Sequence, residues 1–198
     1  ADYEVPIESV RIYSHRGIEE VFDAAREHEA DTVVMGYGGA RFAGGRVEGA
    51  LDELAHDLPC DFLVLDADRF QAEEVLLPTA GGASSDLSAE IAVALREALG
   101  SAVTLLHVTG ESDVDSGRTF LDGWASDHDL EDAELRVETG SPGPVIRGLA
   151  PEYDLLLLGA TERGLLSRIV RGSLTLEAFE GLDVDLLLAE RPSGRSLW

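Results

Sequence analysis

One segment type occurs twice in this chain, as Asp31-Thr-Val-Val-Met-Gly36 and again as Asp154-Leu-Leu-Leu-Leu-Gly159. An apolar run of strand length that stops at glycine is a buried strand turning into a loop. Glycine at that point permits positive φ and lets a ligand or another backbone come close. Two copies of one strand-to-loop unit constrain the architecture more than any other feature, because they imply two related α/β units.

Hydrophobic periodicity completes the second unit. Strands are expected at Val75–Thr79, Ala102–Val108, Ala133–Val137, Asp154–Leu158 and Val184–Ala189. Helices are expected at Asp86–Leu99, Gly117–Asp127, Pro144–Ala150 and Ser173–Glu180. Strands alternating with helices require crossovers and give a mainly parallel sheet, five-stranded for one complete unit, with helices on both faces. The first half repeats only the later part: strand Val10–Ser14, helix Ile18–Glu29, strand Thr32–Met35, helix Val47–Leu58 and strand Asp61–Leu65. Gly17 corresponds to Gly140. The expected division is 1–68 as the C-terminal half of one unit, 72–190 as a complete unit and 191–198 as a frayed polar tail. The counterpart of residues 74 to about 130 is missing from the first half and is expected upstream of Ala1 or lost.

Composition narrows the function classes. There are 39 acidic residues against 15 basic ones, a formal net charge of -24, and every basic residue is arginine. Salt at 1 M screens carboxylate repulsion within about 3 Å, so a lysine-free acidic surface is read as an adaptation to concentrated salt. Nucleic acid is not an expected partner, since no basic patch is visible. Lysine chemistry, from the P-loop to Schiff bases, has no residue to carry it. The single cysteine, Cys60, excludes an intrachain disulfide and is read as an inert thiol at the start of a buried strand. The five histidines lack metal-ligand spacing, and no HExxH or GxSxG pattern occurs, so no catalytic residue and no metal ligand is nominated. Ser84, Ser85 and Ser88 are read as helix-start residues rather than nucleophiles, and Trp124 as core.

The glycine loops are the candidate site. The first offers Gly36, Gly39 and Gly49, with Ala50 where a hydroxyl residue would follow; the second offers Gly159, Gly172 and Ser173, with Glu162 in place of the middle glycine. Glycine-exposed N–H groups and a following helix N-terminus form an anion cradle. Thr79, just after the unit's first strand, joins the candidates. The competing reading is that both loops are structural turns that no longer bind.

Val75-Leu-Leu-Pro-Thr79, Leu105-Leu-His-Val108, the two glycine loops and Leu58-Pro-Cys-Asp-Phe-Leu-Val-Leu65 together resemble the universal stress protein family. The resemblance implies an adenine-nucleotide-binding-like fold and a non-catalytic role, with ATP or AMP as the ligand class. ATP-binding members hold the adenine or ribose side with an aspartate after the first strand, where this chain has Ala80; with Glu162 this makes two departures. A narrower resemblance joins Leu77-Pro-Thr-Ala-Gly-Gly82 with Asp86-Leu-Ser-Ala-Glu90 and Gly159-Ala-Thr-Glu-Arg-Gly-Leu-Leu-Ser-Arg168 to the paired stress-protein domains of haloarchaeal cationic amino-acid transporters. It implies a regulatory cytosolic tail behind a membrane part upstream of Ala1. The rivals are a stand-alone ATP-binding stress protein and a purely structural dimerisation module, the latter pairing strand Val184–Ala189 with its mate in a second chain.

A half-unit with so little sheet of its own leaves strand edges and an apolar face open. Residues 1–68 expressed alone are therefore expected to be unfolded or associated, and a cooperative thermal transition from a monomer in sedimentation would refute this.

Overall fold

A computed structural model describes residues 9, 11, 18–36, 58–67, 69–159 and 184–192. In chain order the described elements are α1 (Ile18–Glu27), β1 (Thr32–Gly36), β2 (Asp61–Asp66), β3 (Glu74–Pro78), α2 (Ala83–Leu99), β4 (Ala102–Thr109), α3 (Val114–Asp127), β5 (Glu134–Thr139), α4 (Pro142–Leu149), β6 (Leu155–Gly159) and β7 (Asp185–Glu190). Single-turn 3-10 helices precede α3 and follow α4. The expected strand Val10–Ser14, apart from Arg11, lies outside the described residues, as do helix Ser173–Glu180 and, apart from Leu58, helix Val47–Leu58.

All seven strands form one sheet in the order β1-β2-β7-β6-β3-β4-β5. The count is seven rather than the expected five because β1 and β2 continue the five-stranded unit instead of standing apart. Every pairing is parallel except β2 with β7. The sheet is therefore mixed but mostly parallel. Long apolar runs follow from this position: Leu155–Leu158 and Leu186–Leu188 are buried on both faces, as central parallel strands must be.

Two cores lie on opposite faces. One collects Phe22 of α1, Phe62, Val64, Leu156, Leu158, Leu186 and Leu188, with Val145, Ile146 and Leu149 of α4 against it. The other collects Val75, Leu77, Leu155, Leu157 and Leu187 under Ala89 and Ala92 of α2 and Leu121 and Trp124 of α3. Phe22 meets Phe62 edge-on, with ring centroids 5.6 Å apart.

The register repeats. Thr32 lies opposite Asp61 in β1–β2 as Leu155 lies opposite Asp185 in β6–β7, and both ladders run through to their glycines, Gly36 and Gly159. The Asp61 N–H donates to the Asp31 carbonyl (3.2 Å) as the Asp185 N–H donates to that of Asp154 (2.9 Å). In the antiparallel β2–β7 ladder, Val64 faces Leu188, Phe62 faces Glu190 and Asp66 faces Leu186. The pairing is thus the same read from either strand, about a centre at Val64–Leu188. The edge of β7 that was expected to receive a second chain is taken by β2 of the same chain.

Arg191 fastens this junction. Expected in a frayed terminus, its guanidinium instead bonds Asp61 at the start of β2 (Nη2–Oδ2 2.9 Å) and Glu90 on α2 (Nη1–Oε1 2.9 Å, Nη2–Oε2 2.8 Å). The hydrogen bond from Arg191 holds the Glu90 carboxyl below its ordinary value, and Glu90 and then Asp61 raise the guanidinium further. The expected serine caps of α2 are not used as caps. Gly82 is the N-cap and makes no side-chain bond there, while the Ser84 hydroxyl accepts the Arg191 N–H (3.3 Å) and Ser88 donates to the Ser84 carbonyl (3.0 Å).

Leu188 is 2% exposed at the centre of the junction. Leu188→Ala is expected to cost about 2–5 kcal/mol in denaturant unfolding. Val34→Ala, at a position 62% exposed, should change stability by less than about 0.5 kcal/mol; equal effects would place the junction elsewhere.

Candidate functional site

In sheets of this kind ligands bind beyond the carboxyl ends of the strands, at the point where strand order reverses. Here that point lies between β3 and β6. Their pairing is confined to Val75–Leu155 and Leu76–Leu156. By contrast β3 stays paired with β4 to Pro78, and β6 with β7 to Gly159. The two central strands therefore part toward their carboxyl ends and leave a crevice rimmed by Thr79 and Gly159.

The turn beyond β3 is built from small residues. Gly81 and Gly82 adopt φ of 82° and 96°, a region that glycine enters without strain. Thr79 is 5% exposed and its polar atoms are engaged. Its N–H donates to the Leu106 carbonyl (2.8 Å), its hydroxyl accepts the Gly81 N–H (3.1 Å) and its carbonyl accepts from His107 Nδ1 (3.0 Å). Thr79 thus shapes the turn. The His107 ring lies against Phe120 of α3, centroids 4.7 Å apart, and Phe120 also approaches Gly81. Gly82 starts α2 by accepting the N–H groups of Ser85 (2.8 Å) and Asp86 (3.0 Å).

Gly159 has a distinct physical role. A Cβ there would lie 2.8 Å from the backbone of Ser84 and Ser85, so the bare glycine lets the first turn of α2 settle on the end of β6. Gly36 holds the equivalent place in β1, and a Cβ there would meet nothing within 4 Å. Because β2 runs antiparallel to β7, Gly36 emerges at the opposite end of the sheet from Gly159. The structure therefore brings Thr79 and Gly159 to one crevice and separates Gly36 from both. Gly39, Gly49, Gly172, Ser173 and Glu162 lie outside the described residues.

Ala80 is exposed on the turn, so the position that would carry a ribose-holding carboxylate offers a methyl group. A separate recess of about 510 Å³, lined in part by Arg69, Gln71, Tyr153, Asp154 and Asp185, lies at the amino ends of β6 and β7. Its carboxylates brace the chain, Asp154 accepting the Glu74 N–H and Asp185 the Gln71 N–H, both at 2.9 Å. Among the described residues no cluster of three His, Cys, Asp or Glu side chains could hold a metal ion. The Cys60 thiol is buried and free, and burial raises it above its ordinary value.

Sequence reasoning missed His107 and Phe120 beside the turn, and Arg191 behind α2. His107 was visible in the strand run Leu105-Leu-His-Val108, but its bond to Thr79 depends on the β3–β4 register.

The close approach predicts a sharp asymmetry between the two glycines. Gly159→Ala is expected to lose about 1–3 kcal/mol by overpacking, while Gly36→Ala should be near neutral, both read from denaturant unfolding. Equal losses would contradict the packing.

The fold and this crevice have counterparts. A universal stress protein from Archaeoglobus fulgidus superposes with a TM-score of 0.61 at 18% identity, over 88% of this chain and 65% of its own; this chain thus spans less than two thirds of that protein. A functionally unknown protein from Pseudomonas aeruginosa gives a TM-score of 0.56 at 10% identity, over 92% of this chain and 69% of its own. These likenesses establish the fold. No curated protein matches the chain. The model of the universal stress protein family matches residues 72–189, from just before β3 to the last turn of β7. On that match, and on a sheet ordered as it requires, the chain belongs to the universal stress protein family.

Proposed function

We propose that the chain is a non-catalytic sensing protein of this family, working as a stand-alone stress protein, with the β3–β6 crevice as the seat of an adenine nucleotide. The observation that carries the reading is the parting of β3 and β6 beyond Leu76–Leu156, with the first turn of α2 laid on Gly159 at the mouth. A helix start and glycine-exposed N–H groups favour an anion there. Family membership and the lack of a metal-ligand cluster among the described residues fit a role without catalysis. AMP is favoured over ATP in this proposal, because α2 carries Asp86 in its first turn and each further phosphate adds repulsion.

The domain reading belongs to the same proposal. Residues 1–68 are taken as the later half of a second stress-protein unit and 72–190 as a complete one. The repeated register of β1–β2 and β6–β7 supports this, as does a structural likeness that extends beyond residues 72–189. A homo-oligomer joined edge to edge would use β1 or β5, since β2 covers β7. The narrower role, as the cytosolic tail of a cationic amino-acid transporter, rests on sequence phrases alone. Among the described residues no helix is long and apolar enough to cross a membrane.

The test is calorimetry with AMP and ATP in molar KCl, on the chain and on Ala80→Asp. The unaltered chain should bind AMP weakly. The added carboxylate should tighten binding about tenfold, the worth of one charge-assisted hydrogen bond. Absence of heat for both proteins with both nucleotides would remove the crevice as a nucleotide seat.

A further inference from the structure

We propose that the outer edge of β1, with the sheet face that carries Val34, is the seat of a strand–turn–helix segment on a partner polypeptide, of the kind that Glu74–Leu99 forms within this chain. The inference goes beyond the nucleotide reading and rests on register and exposure.

The edge is defined by its equivalent. In β6–β7 the strand β6 pairs on its other side with β3, Val75 opposite Leu155 and Leu76 opposite Leu156. In the matching pair β1–β2 the positions of Leu155 and Leu156 are those of Thr32 and Val33, and β1 ends the sheet. A parallel strand laid against Thr32 and Val33 would complete the same ladder. An unpaired edge presents a row of free backbone donors and acceptors, and natural sheets seldom leave one flat and apolar. β1 carries Val33, Val34 and Met35 and no charge between Thr32 and Gly36.

The same two positions that mark the edge also mark a missing helix. Leu157 of β6 is fully buried in the core beneath α2, whereas Val34, its equivalent, is 62% exposed. Gly159 is pressed against the first turn of α2, whereas nothing lies within 4 Å of where a Gly36 Cβ would be. Val33 and Met35 point to the other face and pack on the core there. The open space is thus confined to the side and end where a strand and its following helix would sit. Leu63 and Leu65, half-buried on the same face of β2, extend the apolar surface the helix would cover.

The occupant is a partner and not this chain's own β3, which is enclosed by β4 and β6. It is not a second copy docked edge to edge either. Two β1 strands side by side would bring no helix over Val34, and each copy carries a net charge of -24. The partner's chemistry follows: a short apolar strand, a turn of small residues, and a helix whose first turn is narrow enough to rest on Gly36.

The experiment adds a synthetic peptide of residues 73–100 to the full chain in molar KCl and follows amide hydrogen exchange at Thr32–Gly36. Without peptide the outward amides of β1 should exchange rapidly; with saturating peptide they should slow about tenfold or more. Val34→Arg should abolish the slowing and leave the unfolding midpoint unchanged. The proposal is overturned if β1 is already protected in the chain alone, or if the peptide gives no slowing. It is also overturned if slowing follows protein concentration without peptide, which would place a second copy on the edge. Nucleotide heats at the crevice are a separate readout, so either reading can fail without the other.

Discussion

The antiparallel ladder between β2 and β7 holds the described fold together. Without it β1, β2 and α1 would be a two-stranded fragment with one helix, too small to bury its own apolar residues. With it, Phe62 and Val64 join Leu186 and Leu188 in a core that α1 and α4 close together. Each large buried side chain there contributes roughly 1.5–3 kcal/mol, and the ladder contributes the backbone bonds that make such burial possible. Arg191 adds a charged clasp from the end of β7 to Asp61 and Glu90. Glu90 is mostly exposed, so that part of the clasp is worth little by itself; its effect is to fix α2 over the junction.

Much of this was legible in the sequence, for identifiable reasons. Asp154–Gly159 reads as a buried strand because four leucines followed by glycine leave few alternatives, and the likeness of Asp31–Gly36 carried the first pair with it. Helix ends were less legible. α2 begins at Ala83, earlier than its apolar stripe suggests, because a glycine and not a serine caps it. The strand total was misjudged because pairing between the two halves is a long-range event that no local pattern reports. Arg191 was read as tail for the same reason, its partners being Asp61 and Glu90 at distant points of the chain.

The candidate site was legible in part. Thr79 and Gly159 meet at one crevice, as the spacing of strand ends implied. Their duties differ from the expectation, however: Thr79 spends its hydroxyl on Gly81, and Gly159 serves helix packing before any ligand. A sequence shows that a glycine is present; only the backbone beside it shows whether the glycine admits a ligand or a helix. Gly36 illustrates the gap, having the same local sequence as Gly159 and no neighbour to approach.

The centre at Val64–Leu188 has a mechanical meaning. Side chains along a strand alternate between the two faces, so sliding β2 by one residue past β7 would turn its whole apolar set to the wrong side. The joint is therefore a detent with widely spaced stops, not a slide. Glycine exits at the two ends of a six-residue ladder stand roughly 20 Å apart along the strands and face away from each other. Any influence passing from one mouth to the other would have to travel as a change of sheet twist, with the two halves turning about a fixed hub.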